Sequence, residues 1–238
     1  MNRYSLRVPA AGAETALARM LELFPAGVEE ERDGGDVVFA GYADEAPAPD
    51  LQPEAVQPGW EDAWRAFHRP IRVGPLWIGP PWFEPDPDAI PVVIDPGRAF
   101  GTGAHGSTRA ALEVLARLDP SPALDLGCGS GVLSVAAVRL GFGPIQAFDV
   151  DPLAVGATAE NAARNGVDVP VAQADVLVDP LPSAPLWLAN LELGLLRRLL
   201  ERSDLPEQIL VSGLTADQTL GGNPRAEVDG WAAEVLQP

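Results

Sequence analysis

The 238-residue sequence predicts an α/β fold: a mostly parallel sheet covered on both faces, preceded by a small amino-terminal α/β unit. Three observations lead there. From about residue 108 onward, short apolar stretches alternate with helical ones, the pattern of strands joined by crossover helices. A glycine-rich turn, Gly127-Cys128-Gly129-Ser130-Gly131, directly follows the first apolar stretch. Asp125, Asp149, Asp175 and Asn190 lie near strand ends, where open α/β sheets bind ligands.

Taken in order, Tyr4, Leu6 and Val8 alternate with polar residues and predict a strand. Ala16, Leu17, Met20, Leu21 and Phe24 recur at helical spacing, so Ala13 to Phe24 reads as a helix. Val37 to Tyr42 is a second strand after the turn Asp33-Gly34-Gly35. The acidic cluster Glu29, Glu30, Glu31, Asp33 and Asp36 reads as a solvated hairpin edge rather than a docking site. Ala43 to Gly59 is rich in proline, alanine and acid, a semi-rigid linker. Trp60 to Phe67 reads as a short helix, whose tryptophans either line a substrate channel or pin the linker. Pro75 to Pro81 and Pro91 to Asp95 are short extended pieces. The expected division is residues 1–42, a linker over 43–95, and a main domain over 96–238.

In the main domain, strands are expected at Ala123–Leu126, Ile145–Asp149, Val169–Gln173, Leu186–Asn190 and Ile209–Ser212. Helices are expected at Thr108–Leu118, Val132–Leu140, Pro152–Asn165 and Leu193–Arg202. Ala226–Val228 and Trp231–Val235 form a closing hairpin.

Composition narrows the function. The net charge of -18 disfavours direct nucleic-acid binding and permits steering of a basic protein. The basic residues number 16 and all are arginine. A single cysteine, Cys128, excludes an internal disulfide and reads as a small filler in the turn. No stretch reads as a signal peptide or a membrane span, so a cytoplasmic location is expected. No metal site is expected.

The spacing of the turn selects its ligand. A dinucleotide fingerprint needs a third glycine at position 132, which is Val132. The pattern is instead D-x-G-x-G-x-G, led by Asp125. A carboxylate there suits an ammonium group and repels a pyrophosphate. A Walker-type loop is excluded, since the chain has no lysine. Glycines such as Gly127 and Gly129 let backbone N–H groups approach a ligand. Asp149, about 20 positions later, suits ribose hydroxyls. Together these point to S-adenosylmethionine.

The segment Asp95-Pro96-Gly97-Arg98-Ala99-Phe100-Gly101-Thr102-Gly103-Ala104-His105-Gly106-Ser107-Thr108 closely resembles a hallmark stretch of the PrmA family. That family comprises bacterial methyltransferases of the stalk-base protein of the large ribosomal subunit, its protein number eleven. Trp60 to Trp64, Pro70 to Gly74, the Asp125–Gly131 loop, Asp149 to Pro152, Asn161, Asn165-Gly166 and Ala189 to Leu191 match as well. The resemblance implies a class I, seven-stranded S-adenosylmethionine-dependent methyltransferase fold with an amino-terminal substrate-recognition domain. It implies cofactor contacts at Thr108, Gly127, Asp149 and Asn190, and a loop from Phe100 and Gly101 to His105 over the methionine end. Asp175 follows the third strand, where this fold meets the adenine ring.

His105 is expected to shape the loop rather than act as a base, and Asp151 to cap the helix that begins at Pro152. The substrate would be a basic protein presenting an amine. A lysine of pKa near 10.4 costs about 4.6 kcal/mol to deprotonate at pH 7, an α-amine only about 1 kcal/mol. Neutral oxygen acceptors are therefore needed, and Asn190 and the backbone carbonyl of Leu191 are the candidate catalytic groups. Trp187, on the same strand, reads as core.

The tail departs from the family pattern. Leu205-Pro206-Glu207-Gln208 replaces a P-G-G turn, and only 17 residues separate Gly213 from Trp231. This leaves the cofactor residues untouched in the sequence reading. Three functions compete: methylation of the stalk-base protein, methylation of another protein or small amine, and a cofactor-binding adaptor without turnover.

Overall fold

The computed structural model describes residues 2–9, 12–24, 29–43, 46–49, 51, 53–54, 68–95 and 103–238. The chain divides into two compact units, Met1–Phe67 and His68–Pro238. The expected helix at Trp60–Phe67, the glycine and proline at 59 and 58, and Phe100 and Gly101 lie outside the described residues.

The first unit is a sheet of order β2-β3-β1-β4. Its strands are β1 (Asn2–Pro9), β2 (Glu29–Asp33), β3 (Asp36–Ala43) and β4 (Pro53–Glu54). Helix α1 (Ala13–Leu23) covers one face with Ala16 and Met20, which pack with Phe24 against Tyr4, Val37 and Phe39. Gly41 is required here, because a Cβ would lie 2.2 Å from the Phe24 ring. The acidic run occupies β2, an edge strand, where charge discourages pairing with another chain.

The second unit holds a seven-stranded sheet of order β10-β9-β8-β11-β12-β14-β13. Strands β8 (Ala123–Leu126), β9 (Ile145–Asp149), β10 (Val171–Gln173), β11 (Leu186–Asn190) and β12 (Gln208–Thr215) run parallel. β13 (Arg225–Val228) and β14 (Trp231–Leu236) close it antiparallel. Helices α2 (Gly106–Leu115), α3 (Val132–Arg139) and α4 (Pro152–Arg164) bury Leu112, Val135 and Ala162 in one apolar layer. α5 (Leu193–Leu199) buries Leu196 and Leu199 in the other. Alternation along β8 sends Leu124 and Leu126 to the α5 layer and Ala123 to the α3 layer.

Several boundaries move for local reasons. β10 starts at Val171 rather than Val169, since Pro170 has no N–H to donate and only its carbonyl pairs, with Ala147. α5 ends early because Arg202 folds back onto Asp204 and the Val176 carbonyl. α2 begins two residues early, at Gly106, because His105 is its N-cap.

Residues 68–95, expected as linker, belong to the second unit, so the division falls after Phe67. They form the sheet β5 (Ile71–Val73), β6 (Leu76–Gly79) and β7 (Ile90–Val93), with β6 buried throughout. Two asparagines of α4 and its C-cap tie it down. Val93 N–H donates to Asn165 Oδ1 at 2.9 Å, and Asn165 Nδ2 donates to the Val93 carbonyl at 2.7 Å. Asp95 N–H donates to Asn161 Oδ1 at 2.9 Å, while Asn161 Nδ2 donates to the Ser130 carbonyl at 2.9 Å. The side-chain amides thus act as one more strand along β7.

The short tail also reaches further than the sequence suggests. The β13–β14 turn has Asp229 and Gly230 at φ 50 and 79, both left-handed, the pattern of a tight hairpin. Trp231 packs tilted against His105, ring centroids 4.6 Å apart and planes at 60°, and Arg109 pairs with Asp229. A Cβ on Gly106 would meet the Trp231 ring at 2.6 Å and the Val228 carbonyl at 2.8 Å. The hairpin therefore supports the start of α2, the helix that carries Thr108. Fully buried Glu234 on β14 takes Arg225, Thr219 and the Leu220 N–H, which fastens the residues before β13.

Asn165→Ala removes both bonds to Val93. The Asn165 Nδ2 bond to the Asn161 carbonyl at 2.8 Å goes too, so the expected loss is about 3 kcal/mol, three bonds of about 1 kcal/mol each, read as a lower urea midpoint at unchanged slope. An unchanged midpoint would show that the asparagine ladder is dispensable.

Candidate functional site

The site lies where the strand order reverses, above the carboxyl ends of β8 and β11. A cleft of ≈ 410 Å³ opens there, lined among others by Gly127, Gly129, Asp149, Asp175, Asn190 and Leu191. Six of the sequence-predicted residues are thus brought together. Thr108 and Asp125 stand behind this lining.

The glycine turn is arranged differently from the sequence expectation. Gly127 and Cys128 N–H both donate to the Phe148 carbonyl, at 2.8 and 3.1 Å. Gly129 N–H donates to Asp149 Oδ2 at 2.9 Å, and Gly131 N–H to the Cys128 carbonyl at 2.8 Å. Three of these amides are spent on β9 and one within the turn, rather than aimed at a ligand. Such a turn offers no phosphate cradle from them, which agrees with a ligand that carries none. Gly127 adopts φ 76, and a Cβ there would strike Leu191 Cδ2 at 2.6 Å.

Asp125 is buried, and its Oδ2 accepts from Ser134 N–H at 3.0 Å and from Ser134 Oγ at 2.5 Å. The reason is local. The N-cap of α3 is Gly131, left-handed and without a side chain, so β8 supplies the missing acceptor. Burial, partly offset by the Ser134 bonds, pushes its carboxyl up to about 6. Burial likewise pushes the Cys128 thiol up to about 12, and Thr158 Oγ1 donates to its sulfur. Cys128 is buried in the turn, where the sequence places a small filler.

Asp149 ends β9 with both oxygens anchored, Oδ2 by Gly129 and Oδ1 by Asp151 N–H at 3.0 Å. Each oxygen keeps a lone pair for a further donor. Asp151 caps α4 through Leu153 N–H at 2.9 Å, as expected. Asp175 opens a turn, accepting from Leu177 N–H at 3.0 Å. Asn190 Nδ2 donates to Thr108 Oγ1 at 3.2 Å, which ties β11 to the first turn of fully buried Thr108. His105 Nδ1 accepts from Ser107 N–H at 3.3 Å and lies 2.8 Å from Ser107 Oγ. It shapes the start of α2. Trp187 is core, fully buried in the α5 layer.

Sequence reasoning missed Val150, Ala174, Leu177 and Leu195 in the lining. Val150 is 65% exposed. In the sequence the only signal was an apolar residue set between Asp149 and Asp151. Ser212 and Gly213, which meet Leu191 from behind, had no such signal.

A sheet of this order, with this cleft, is the class I S-adenosylmethionine-dependent methyltransferase fold. A solved ribosomal protein L11 methylase from Lactobacillus delbrueckii subsp. bulgaricus shares it at TM-score 0.63 and 27% identity, over 71% of this chain and 99% of that one. The family model described as ribosomal protein L11 methyltransferase (PrmA) matches residues 46–218, and the chain belongs to that family. Curated proteins named ribosomal protein L11 methyltransferase match from Shewanella sediminis, 41% identical over 170 residues, and from Pseudomonas aeruginosa strain LESB58, 38% identical over 205 residues. The matches cover 67% and 75% of this chain, but 57% and 67% of those relatives. No helix among the described residues is long and apolar enough to cross a membrane.

The sign of the Asp125 shift fixes a pH dependence. Its folded-state carboxyl, at about 6, lies above its ordinary value of 3.8. The protonated form is the one the fold favours. That contribution is full below pH 4 and is lost as pH rises through 6. About 3 kcal/mol is at stake, at 1.36 kcal/mol per unit. Between pH 4 and 7.5 the wild type should lose about this much stability relative to Asp125→Asn. Chemical denaturation across that range checks it, and parallel curves for the two proteins would contradict it.

Proposed function

We propose that this chain is an S-adenosylmethionine-dependent protein N-methyltransferase. Its substrate is ribosomal protein L11, modified on lysine side-chain or α-amino groups. The observation that carries the reading is the cleft in which Gly127, Asp149 and Asp175 face Asn190 and Leu191. The names of the relatives support the substrate, and the net charge of -18 suits a basic protein over a nucleic acid.

The residues present fit this cofactor. Gly127 and Gly129 leave the cleft floor without side chains, Asp149 offers an anchored carboxylate to paired ribose hydroxyls, and Asp175 and Val150 flank the place for adenine. When bound, S-adenosylmethionine supplies an electrophilic methyl group on a sulfonium. The chain's task is to present a neutral amine in line with it at about 3 Å. The Thr108 bond keeps the Asn190 NH₂ turned toward α2, so Oδ1 is the atom that accepts from the amine. The Leu191 carbonyl is the second acceptor. Neither group takes the proton outright. The ammonium releases it to water before transfer, and the two oxygens hold the remaining N–H groups so that the lone pair points at the methyl. Asp125 supports the turn from beneath. Phe100 and Gly101 are assigned to the methionine end through the family pattern.

The test is transfer of radiolabelled methyl groups to unmethylated ribosomal proteins, with Asp149→Ala as control. Label on L11 is expected. Loss of two charge-assisted bonds of roughly 1.5–3 kcal/mol each should weaken cofactor binding by at least about 100-fold in the control. Label on a different protein keeps the reaction and discards this substrate. Cofactor binding by calorimetry without any transfer would favour an adaptor.

A further inference from the structure

β12 does more than flank β11. Its pairing with β14 shifts register between Ser212 and Leu214, a bulge centred on Gly213. Gly213 adopts φ 92. A Cβ there would sit 2.2 Å from the Leu191 carbonyl oxygen and 2.8 Å from its carbon. Those are backbone atoms, so no side chain can swing aside to make room. Ser212, fully buried, accepts Leu191 N–H on its carbonyl at 3.0 Å. Its hydroxyl donates at 2.7 Å to the Ser107 carbonyl, in the same turn of α2 as Thr108. The segment Asn190-Leu191 is thus gripped on the N–H of one residue and the side-chain amide of the other, and only the lack of a side chain at Gly213 leaves room beside the Leu191 carbonyl oxygen.

We infer that Ser212–Gly213 is a positioning element for methyl transfer: Ser212 fixes the Leu191 peptide, and the missing side chain at Gly213 keeps the Leu191 carbonyl open to the substrate amine. This rests on the reading of Leu191 as an amine acceptor. Any other residue at 213 covers that oxygen or rotates the peptide. A bulge glycine kept only for backbone shape would have no such consequence for turnover.

Gly213→Ala tests this, with Gly221→Ala as control. Gly221 has an equally left-handed φ of 88, yet nothing lies within 4 Å of its Cβ position. Both variants carry the backbone penalty, and only the first crowds Leu191. Turnover by Gly213→Ala should fall by at least about 100-fold, the scale expected for a reacting group displaced by about an ångström. Its calorimetric Kd for S-adenosylmethionine should stay within about fivefold, because Asp149 ends β9 and Asp175 lies in the turn after β10, away from β12. Gly221→Ala should lose melting temperature through the backbone penalty alone, less than Gly213→Ala, and keep its turnover. Amide exchange at Leu191 should quicken in Gly213→Ala alone. If that variant does not fold, Ser212→Ala, which removes the hydroxyl's bonds to the Ser107 and Ala232 carbonyls and leaves the backbone bond to Leu191 N–H in place, should lower kcat about tenfold at unchanged cofactor Kd.

Turnover within threefold of wild type in Gly213→Ala, or equal losses in both glycine variants, would overturn the inference. So would unchanged exchange at Leu191. If the wild type transfers no methyl group, the proposed function fails first, and the exchange measurement still judges the grip on Leu191.

Discussion

β8 sits inside the parallel sheet, and the chain leaves it in two directions, toward β9 and β10 on one side and β11 and β12 on the other. Crossovers between parallel strands are right-handed, so opposite directions place their helices on opposite faces. α3 and α4 fall in one apolar layer and α5 in the other. The ends of β8 and β11 are left adjacent, with their following loops diverging. The cleft is the gap this topology leaves, and Gly127 and Asn190 enter it because one follows β8 and the other ends β11.

Hydrogen-bond economy then decides what the gap can hold. A glycine turn before a helix is often an anion site. Here its amides are consumed by the Phe148 carbonyl, by Asp149 and by the turn itself. The helix start behind it is satisfied by Asp125 through Ser134. What remains at the surface is an anchored carboxylate, apolar side chains and the oxygens near Asn190 and Leu191. Such a lining suits hydroxyl donors, a flat ring and an amine.

The same economy explains parts of the chain that seemed peripheral. Asn161 and Asn165 complete the open edge of β7 and so draw residues 68–95 into the second unit. The shortened tail closes the sheet with a tight hairpin whose Trp231 and Asp229 brace His105, Gly106 and Arg109. Ser212 links three elements with one residue, the end of β11, the start of α2 and the bulge of β12. The cleft is therefore held from the back by residues that line none of it.

The sequence by itself determined β8, β9 and β11 to the residue, because each is an apolar run cut off by glycine, acid or proline, and such local signals need no neighbour. It determined Asp149, Asp175, Asn190 and Leu191 as a set, since strand ends in an alternating fold share one edge. The loop-shaping role of His105 and the capping role of Asp151 were also legible, each resting on a bond to a residue two positions on in the chain. Only the tertiary structure decided where the Asp125 carboxylate points, that residues 68–95 form a sheet, and that Ser212 and Gly213 meet Leu191. Those outcomes depend on which buried donor, strand edge or carbonyl lacks a partner once distant segments have packed. Sequence spacing records what a residue can offer, whereas packing determines which group is near enough to take it.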